Sequence, residues 1–513
     1  MPSAHTRLPT ALEANISSLF RVPRNAPRLP LAGSYPAAVA LSLLALSPFL
    51  VLTTALSLFE PILMERLSAS PFQLQLTSGL SNAGYAFGAV LAAELFKRLQ
   101  ARRLYIFCEA GFVIGSVLAL SAQEIGLFMA GVILQGLFTG MLLVLALPPL
   151  VLGHGVEKLA TTAPVISIGL FGMVTAGPLI GGLVGSYGGW RLLYTSVAVL
   201  AAIGLTIGAM TFEPNEPPAK GSPLSLSATP LALAATALPF FGVSWLSRGG
   251  FSDWEFIAPV AAGVAAGALL LATQYAQARP LMPVRPITNT LPVTGTLNAM
   301  VVGASFVTLL ELTQIYLLQE ARYTPVHVGV LLIPQIAGVV ASALIFHKVM
   351  ATRWTPYMAL SGILSIVCAA AVLLALTPSN ASVVVPITAA LLGYGAGAGV
   401  VPGLFLAGFS ISAMQIGATF ALVELLRSEA AFLIGPALVH LAAIQDSFTD
   451  GFRLAVSIML AFTGASALAL PGLFLLGGAR PEAPDLEGWM SGSSTGYHSP
   501  RLGNAIRKPL PSS

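Results

Sequence analysis

Fourteen apolar runs of eighteen residues or more, each bounded by charge, proline or glycine, follow one another along the chain. They fall at approximately 36–59, 72–95, 104–121, 126–152, 162–186, 190–212, 230–247, 254–276, 291–319, 325–347, 355–377, 382–408, 417–442 and 453–477. A helix crosses the hydrocarbon of a bilayer with roughly 20 apolar residues, and a helix is the element that satisfies its own backbone there. The predicted class is therefore all-α integral membrane. Composition agrees: 56% of the 513 residues are hydrophobic and 9% charged, against about 45–50% and 25% in soluble domains. That balance excludes a soluble enzyme, a disordered polymer, a coiled coil and a nucleic-acid binder, none of which could hide so much apolar surface from water. Cys108 and Cys368 lie in separate apolar runs and read as packing residues.

An even number of spans puts both termini on one side, and the basic residues choose the side. With the termini in the cytoplasm, eighteen of the 24 Lys and Arg face inward, Arg66, Arg191, Arg248, Arg322 and Arg453 face outward, and Arg427 lies inside a span. This is the positive-inside bias. The segments so defined are a cytoplasmic N-terminal tail (1–35), a six-helix half (36–212), a linker with two inserted helices (213–290), a second six-helix half (291–477) and a disordered cytoplasmic tail (478–513). The spacing of Leu12, Ile16, Leu19 and Phe20 would also suit a short helix on the inner leaflet. The Ser, Gly and Pro content of 491–513 reads as disorder.

One phrase occurs twice. Gly177-Pro178 is followed by Gly189-Trp190-Arg191-Leu192, and about 260 residues later Gly435-Pro436 is followed by Gly451-Phe452-Arg453-Leu454. The basic loop Lys97–Arg103 has a weaker counterpart in Lys348 and Arg353. Spans 1–6 and 9–14 then form two pseudo-symmetric halves, a transporter architecture whose substrate site lies between them. In the fifth span Gly177, Gly181 and Gly185 recur every four residues and line one face, admitting a close neighbour, with Gly182 beside them, while Pro178 bends the helix.

Gly177-Pro178-x-x-Gly181-Gly182 followed by Gly-Gly-Trp190-Arg191 resembles the fifth-span motif of the major facilitator superfamily, in its fourteen-span drug:proton antiporter branch. The resemblance extends to Trp245-Leu-Ser-Arg248-Gly-Gly, to Arg279-Pro-Leu with Pro286, to Tyr316-Leu-Leu-Gln319 with Pro325, Gly329 and Pro334, and to Thr54, Pro61, Gln135-Gly136 and Arg427. It implies a major facilitator bundle of fourteen helices arranged 6+2+6, in the cell membrane. Two departures stand out. Leu52 and Val132 occupy positions where the branch usually has Asp and Arg. The Arg is tied to proton coupling in the family, so coupling here has moved to other groups or is missing.

An ionised side chain in hydrocarbon is costly unless paired, which makes membrane carboxylates functional candidates. Glu94 and Glu109 lie close in sequence to Arg98, Arg102 and Arg103 and read as structural ion pairs; Glu424 and Arg427 share one face of span 13. Glu60, at the end of span 1, reads as a solvated interface charge. Glu311 has no basic residue in its own span, and with Gln314, Tyr316 and Phe306 it offers the mixture of carboxylate, amide and aromatic groups that suits a substrate and proton site. The six histidines show no metal-ligand spacing, and the Gly393–Gly399 run lacks the Lys of a phosphate loop and reads as a packing seam.

The expected function, implied by the resemblance, is proton-driven export of small amphipathic or cationic molecules by a monomer without cofactor, metal or nucleic-acid partner. The alternatives are an uncoupled or differently coupled facilitator of a small metabolite and, remotely, an integral-membrane enzyme.

Overall fold

The computed structural model describes residues 29–213, 228–277 and 280–503. Among these residues the fold is helical, with strand pairing limited to a single bridge between Asn289 and Arg501. Fourteen long helices make the bundle: α1 (Tyr35–Leu67), α2 (Pro71–Phe96), α3 (Ala101–Ser121), α4 (Ile125–Leu152), α5 (Gly155–Tyr187), α6 (Trp190–Thr211), α7 (Ala228–Trp245), α8 (Trp254–Ala276), α9 (Thr290–Gln319), α10 (Pro325–Val349), α11 (Thr355–Leu373), α12 (Ala381–Phe409), α13 (Ile416–Ala443) and α14 (Phe448–Leu476). Twelve of them are long and apolar enough to cross a membrane. The two that fall short, α2 and α13, are long enough but too polar: Gln73, Gln75 and Asn82 interrupt one, Glu424, Arg427 and Glu429 the other.

Helix starts follow from local chemistry. Ser70 and Gln73 form a reciprocal capping box ahead of α2, with Pro71 at the first helical position where no N–H is needed. Ser447 caps α14 by accepting from the Asp450 N–H. Between α7 and α8 the Arg248 guanidinium lies over the rings of Phe72 and Trp245, 3.9 and 3.8 Å from their centres. Asp253 accepts from the Gly250 N–H and the Trp245 indole N–H, both at 2.9 Å, and these donors hold its carboxyl below the usual range. Arg248 and Trp245 thus pin the hairpin to the start of α2.

Helix pairing repeats along the chain. α1 packs on α5 as α9 packs on α13, α2 on α4 as α10 on α12, α3 on α4 as α11 on α12, and α3 on α6 as α11 on α14. The two sets meet through α2 against α13 and α5 against α10. α7 packs on α2 and α13 from outside, and α8 packs on α7 with most of its surface exposed.

The glycine face of α5 is a contact with the first helix. A Cβ at Gly177, Gly181 or Gly185 would collide with Thr54, the Ala55 carbonyl or the Leu58 carbonyl of α1 respectively. The neighbouring face meets the other half, since a Cβ at Gly182 would collide with the Pro325 carbonyl of α10, and one at Gly329 would lie 2.7 Å from the Pro178 carbonyl. Pro178 has no N–H for the carbonyl of Val174, four residues earlier, and the Thr54 hydroxyl donates to that carbonyl at 2.6 Å. The bend in α5 is therefore satisfied from α1. The Gly393–Gly399 run is also a seam, with Gly393 against Gln335 of α10 and Gly399 against Val302 of α9.

The C-terminal segment departs from the reading of disorder. Residues 485–503 fold back along the helix ends, with a short helix α15 (Leu486–Ser491) whose Trp489 is buried against Phe409 and donates from its indole N–H to the Ile411 carbonyl at 2.8 Å. The Tyr497 N–H reaches the Phe409 carbonyl, and Ser499 accepts from the Leu291 N–H. The Ser and Gly content concealed two aromatic anchors. The suggested helix at Leu12–Phe20 lies outside the described residues.

Gly181→Leu would push α1 and α5 apart. The expected destabilisation is about 1–3 kcal/mol, the usual range for overpacking, read as a lower unfolding temperature of the purified protein in detergent together with a sharp loss of transport. Unchanged unfolding and transport would mean that this face packs against lipid.

Candidate functional site

Between the two sets of helices lies a cavity near the Leu67, Gln319 and Ala443 ends of α1, α9 and α13. Ser57 and Glu60 reach it from α1, Gln75 and Asn82 from α2, Glu311 and Gln314 from α9, and Phe432 from α13. Helical spacing explains the grouping. Ser57 and Glu60 are three apart, as are Glu311 and Gln314, so each pair shares a face. Across the cavity the Ser57 hydroxyl donates to the Gln314 carbonyl oxygen at 2.8 Å, joining α1 to α9. Gln314 and Asn82 are almost wholly buried, and each keeps one polar atom, the Gln314 Nε2 and the Asn82 Oδ1, without a protein partner.

A second, deeper cavity shares Thr53, Thr54, Val307 and Phe432 with the first, so the two adjoin. Its walls are mostly apolar, with Phe306 from α9, Phe171 from α5, Val400 from α12 and Tyr85 from α2. Residues Ile168–Gly172 form a π-helical turn in α5, and this local widening brings Leu170 and Phe171 into the lining. Glu424 and Arg427 also border it. The Arg427 Nε–H donates to Glu424 Oε2 at 2.9 Å, the Nη2 group binds Oε1, and the Tyr85 hydroxyl donates to the same Oε1 at 2.8 Å. Tyr85 belongs to one half and Glu424 to the other, so this buried ion pair is tied across the interface. The Tyr85 ring stacks on Phe49, with centres 5.7 Å apart, which fixes its hydroxyl.

The residues singled out from the sequence divide accordingly. Glu311 and Gln314 line the first cavity; Phe306, Glu424 and Arg427 line the second. Tyr316 lines neither. It lies five residues beyond Glu311, about 140° around the helix, and packs against Phe452 of α14 with ring centres 4.7 Å apart. Glu60 is not the solvated interface charge expected from its place near the end of a span, because α1 continues to Leu67 and keeps Glu60 half-buried in the cavity wall. Its spacing from Ser57 and Thr53 was the available signal. Glu94 pairs with Arg98 at 2.6 Å as expected, whereas Glu109 has no arginine and instead accepts from the Tyr105 hydroxyl at 2.8 Å. Tyr85, Gln75 and Asn82 were missed, since nothing in one sequence says which face of α2 meets the other half.

A sequence model described as the Major Facilitator Superfamily matches residues 41–436. The chain belongs to that superfamily. Among curated relatives it is 27% identical over 323 residues to an uncharacterized MFS-type transporter, YubD, of Bacillus subtilis, a match covering 60% of this chain and 62% of that protein. It is 27% identical over 298 residues to a multidrug resistance protein B homolog of Mycobacterium tuberculosis, covering 58% of this chain and 53% of that protein. The chain thus aligns with less than two thirds of either relative's length. Among solved structures it resembles the human organic anion transporter MFSD10, with a TM-score of 0.60 at 14% identity over 85% of this chain and 99% of that one.

The seam of α5 therefore stands between α1 of its own set of helices and α10 of the other. At the inter-half contact nearer the start of α5, a ring nitrogen of His347 donates to the Ala160 carbonyl at 2.7 Å. The usually charged positions are apolar here in space as well as in sequence, since Leu52 and Val132 are both buried within the core. Gln135, three residues after Val132, donates to the Ser116 hydroxyl at 2.8 Å and so ties α4 to α3.

Tyr85→Phe removes only the hydroxyl that bridges the halves to Glu424. A hydrogen bond to a charged acceptor is worth about 1.5–3 kcal/mol. The unfolding temperature of the purified protein should fall by a corresponding amount, and a cysteine placed in the cavity should change its labelling rate because the balance of access states shifts. Neither change would be seen if the hydroxyl merely fills space.

Proposed function

We propose that this chain is a secondary active exporter of small amphipathic or cationic molecules, belonging to the fourteen-span drug:proton antiporter branch and driven by inward proton movement through alternating access. The observation that carries the proposal is Glu311: a carboxylate in a cavity between the two helical halves, with no Lys or Arg lining that cavity among the described residues. A carboxyl group in such a place can exchange a proton for a cationic substrate as access alternates. The adjoining cavity, bordered by Phe306, Phe171, Tyr85 and Phe432, supplies apolar surface for the body of an amphipathic molecule. A relative named as a multidrug resistance protein supports the same substrate class.

In this reading all fourteen helices cross the membrane in a 6+2+6 arrangement. α2 and α13 cross because Gln75, Asn82, Glu424 and Arg427 face the cavities, while neighbouring helices take the lipid contact. The halves are 36–212 and 291–477, with 213–290 carrying the inserted pair, the protein is a monomer in the plasma membrane, and both termini face the cytoplasm. The distribution of Lys and Arg supports that orientation. Cysteine labelling from each side should find Lys97–Arg103 and the two termini inside, with Arg66 and Asp446 outside. Labelling of the termini from opposite sides would remove this topology.

A second reading, a facilitator without proton coupling, is favoured by Leu52 and Val132 at positions that are usually charged. Transport by the purified protein in liposomes with an imposed pH gradient separates the two. Uphill movement of a cationic dye that collapses with the gradient, and that is lost in Glu311→Gln while the variant remains folded, is the outcome expected for antiport. Uphill transport by the variant with unchanged pH dependence would exclude Glu311 as the coupling group.

A further inference from the structure

The cavity that holds Glu311 contains a second carboxylate, and the two come from opposite halves: Glu60 from α1 and Glu311 from α9. Among the described residues neither is hydrogen-bonded or ion-paired, since the ion pairs found are Glu94 with Arg98 and Glu424 with Arg427. No Lys, Arg or His lines this cavity. The guanidinium of Arg427, in the adjoining cavity, is already held by Glu424. Two carboxylates alone would not make a site, but a third acceptor is built beside them. Asn82 donates from Nδ2 to the Ser78 carbonyl at 3.0 Å, which fixes the orientation of its amide and leaves the buried Oδ1 without a partner. Gln314 is oriented in the same way by Ser57, which occupies its carbonyl oxygen at 2.8 Å.

Acceptors therefore outnumber donors around a space that holds two carboxylates, two negative charges when both are ionised, and no cationic side chain among the described residues. Among membrane-spanning helices each uncompensated charge is costly, so the occupant that suits the site restores neutrality. A singly charged ligand leaves one carboxylate unbalanced. We propose that Glu60 and Glu311 act together as a two-carboxylate site for organic dications, each half of the bundle taking one positive charge, with Asn82 Oδ1 accepting from one of the cationic groups. This deepens the export reading above and rests on it. Because the carboxylates stand on different halves, a bridging dication also offsets the repulsion that opposes their approach, so an occupied site closes more readily than an empty one.

Equilibrium binding to the purified full-length protein in detergent, without any gradient, tests the site. The probes are pentamidine, a bis-amidine with two charges, and tetraphenylphosphonium, with one. Glu60→Gln should weaken pentamidine binding by about tenfold or more, the scale of a lost desolvated charge pair, and tetraphenylphosphonium binding by less than about threefold. Glu60→Asp, which keeps the charge, should hold both affinities within about threefold of the wild type. If Glu60→Gln does not yield folded protein, Glu60→Ala, which also removes the charge, should give the same selective loss. Equal losses for both probes, or no loss, would overturn the two-carboxylate site while leaving cation export standing. Failure of the wild type to bind either probe would overturn both.

Discussion

A polar group placed at the depth of the hydrocarbon has to find its partner inside the protein, and that requirement organises this bundle. The most lipid-like helices, such as α8, lie at the periphery, whereas α2 and α13, the two too polar to qualify as spans by composition, face each other where the halves meet. Gln75 and Asn82 of α2 and Glu424 and Arg427 of α13 line the cavities. Even a proline obeys the rule: the carbonyl that Pro178 leaves free on Val174 is taken by Thr54 of the neighbouring helix. The bend that lets α5 follow α1 is thereby tied to the helix on which it packs.

Close approach of backbones is the second constraint. Lipid tails are as apolar as leucine, so helices inside a membrane gain little from burying large side chains and associate through shape and hydrogen bonding. Gly177, Gly181 and Gly185 give α5 a flat face toward α1, and Gly182 with Gly329 does the same toward α10 in the opposite half. One helix therefore carries a contact within its half and a contact between halves on adjacent faces.

The helices and their order were legible in the sequence because a run of about twenty apolar residues has few other uses. The glycine spacing of α5 and its proline pointed to a packing face, and the repeated phrase pointed to the helix pairs that recur in space. What was hidden depends on rotation about helix axes. Tyr316 was grouped with Glu311 by nearness in sequence, yet it points to Phe452 of α14. Glu60 was assigned to water because the apolar run stops at Phe59, although the helix runs on to Leu67 and its face is set by α1 packing on α5 and α9. Tyr85 carried no signal, since a tyrosine in a glycine-rich helix is an ordinary packing residue until its neighbour across the interface is known. The tail from residue 485 misled for a different reason: composition averages over a segment, while a single buried tryptophan anchors it.

In the export proposed above, the two cavities would divide the work of recognition by charge. In the deeper one Glu424 and Arg427 cancel, Tyr85 ties the pair across the interface, and the remaining lining is aromatic or aliphatic. Such a space selects by shape and apolar area, and it can hold many different molecules because neither term demands a fixed direction. The cavity beside it has carboxylates without a counter-ion and amides with one atom unspent. In that reading it would select by charge, and strongly, because an uncompensated charge costs more than an imperfect fit. A molecule with an apolar body and a cationic end fits both only when it lies along the shared wall of Thr53, Thr54, Val307 and Phe432. Three of those four residues lie on α1 and α9, the helices that also carry Glu60 and Glu311. A ligand so placed contacts both halves at once, which is the condition for its binding energy to differ between access states.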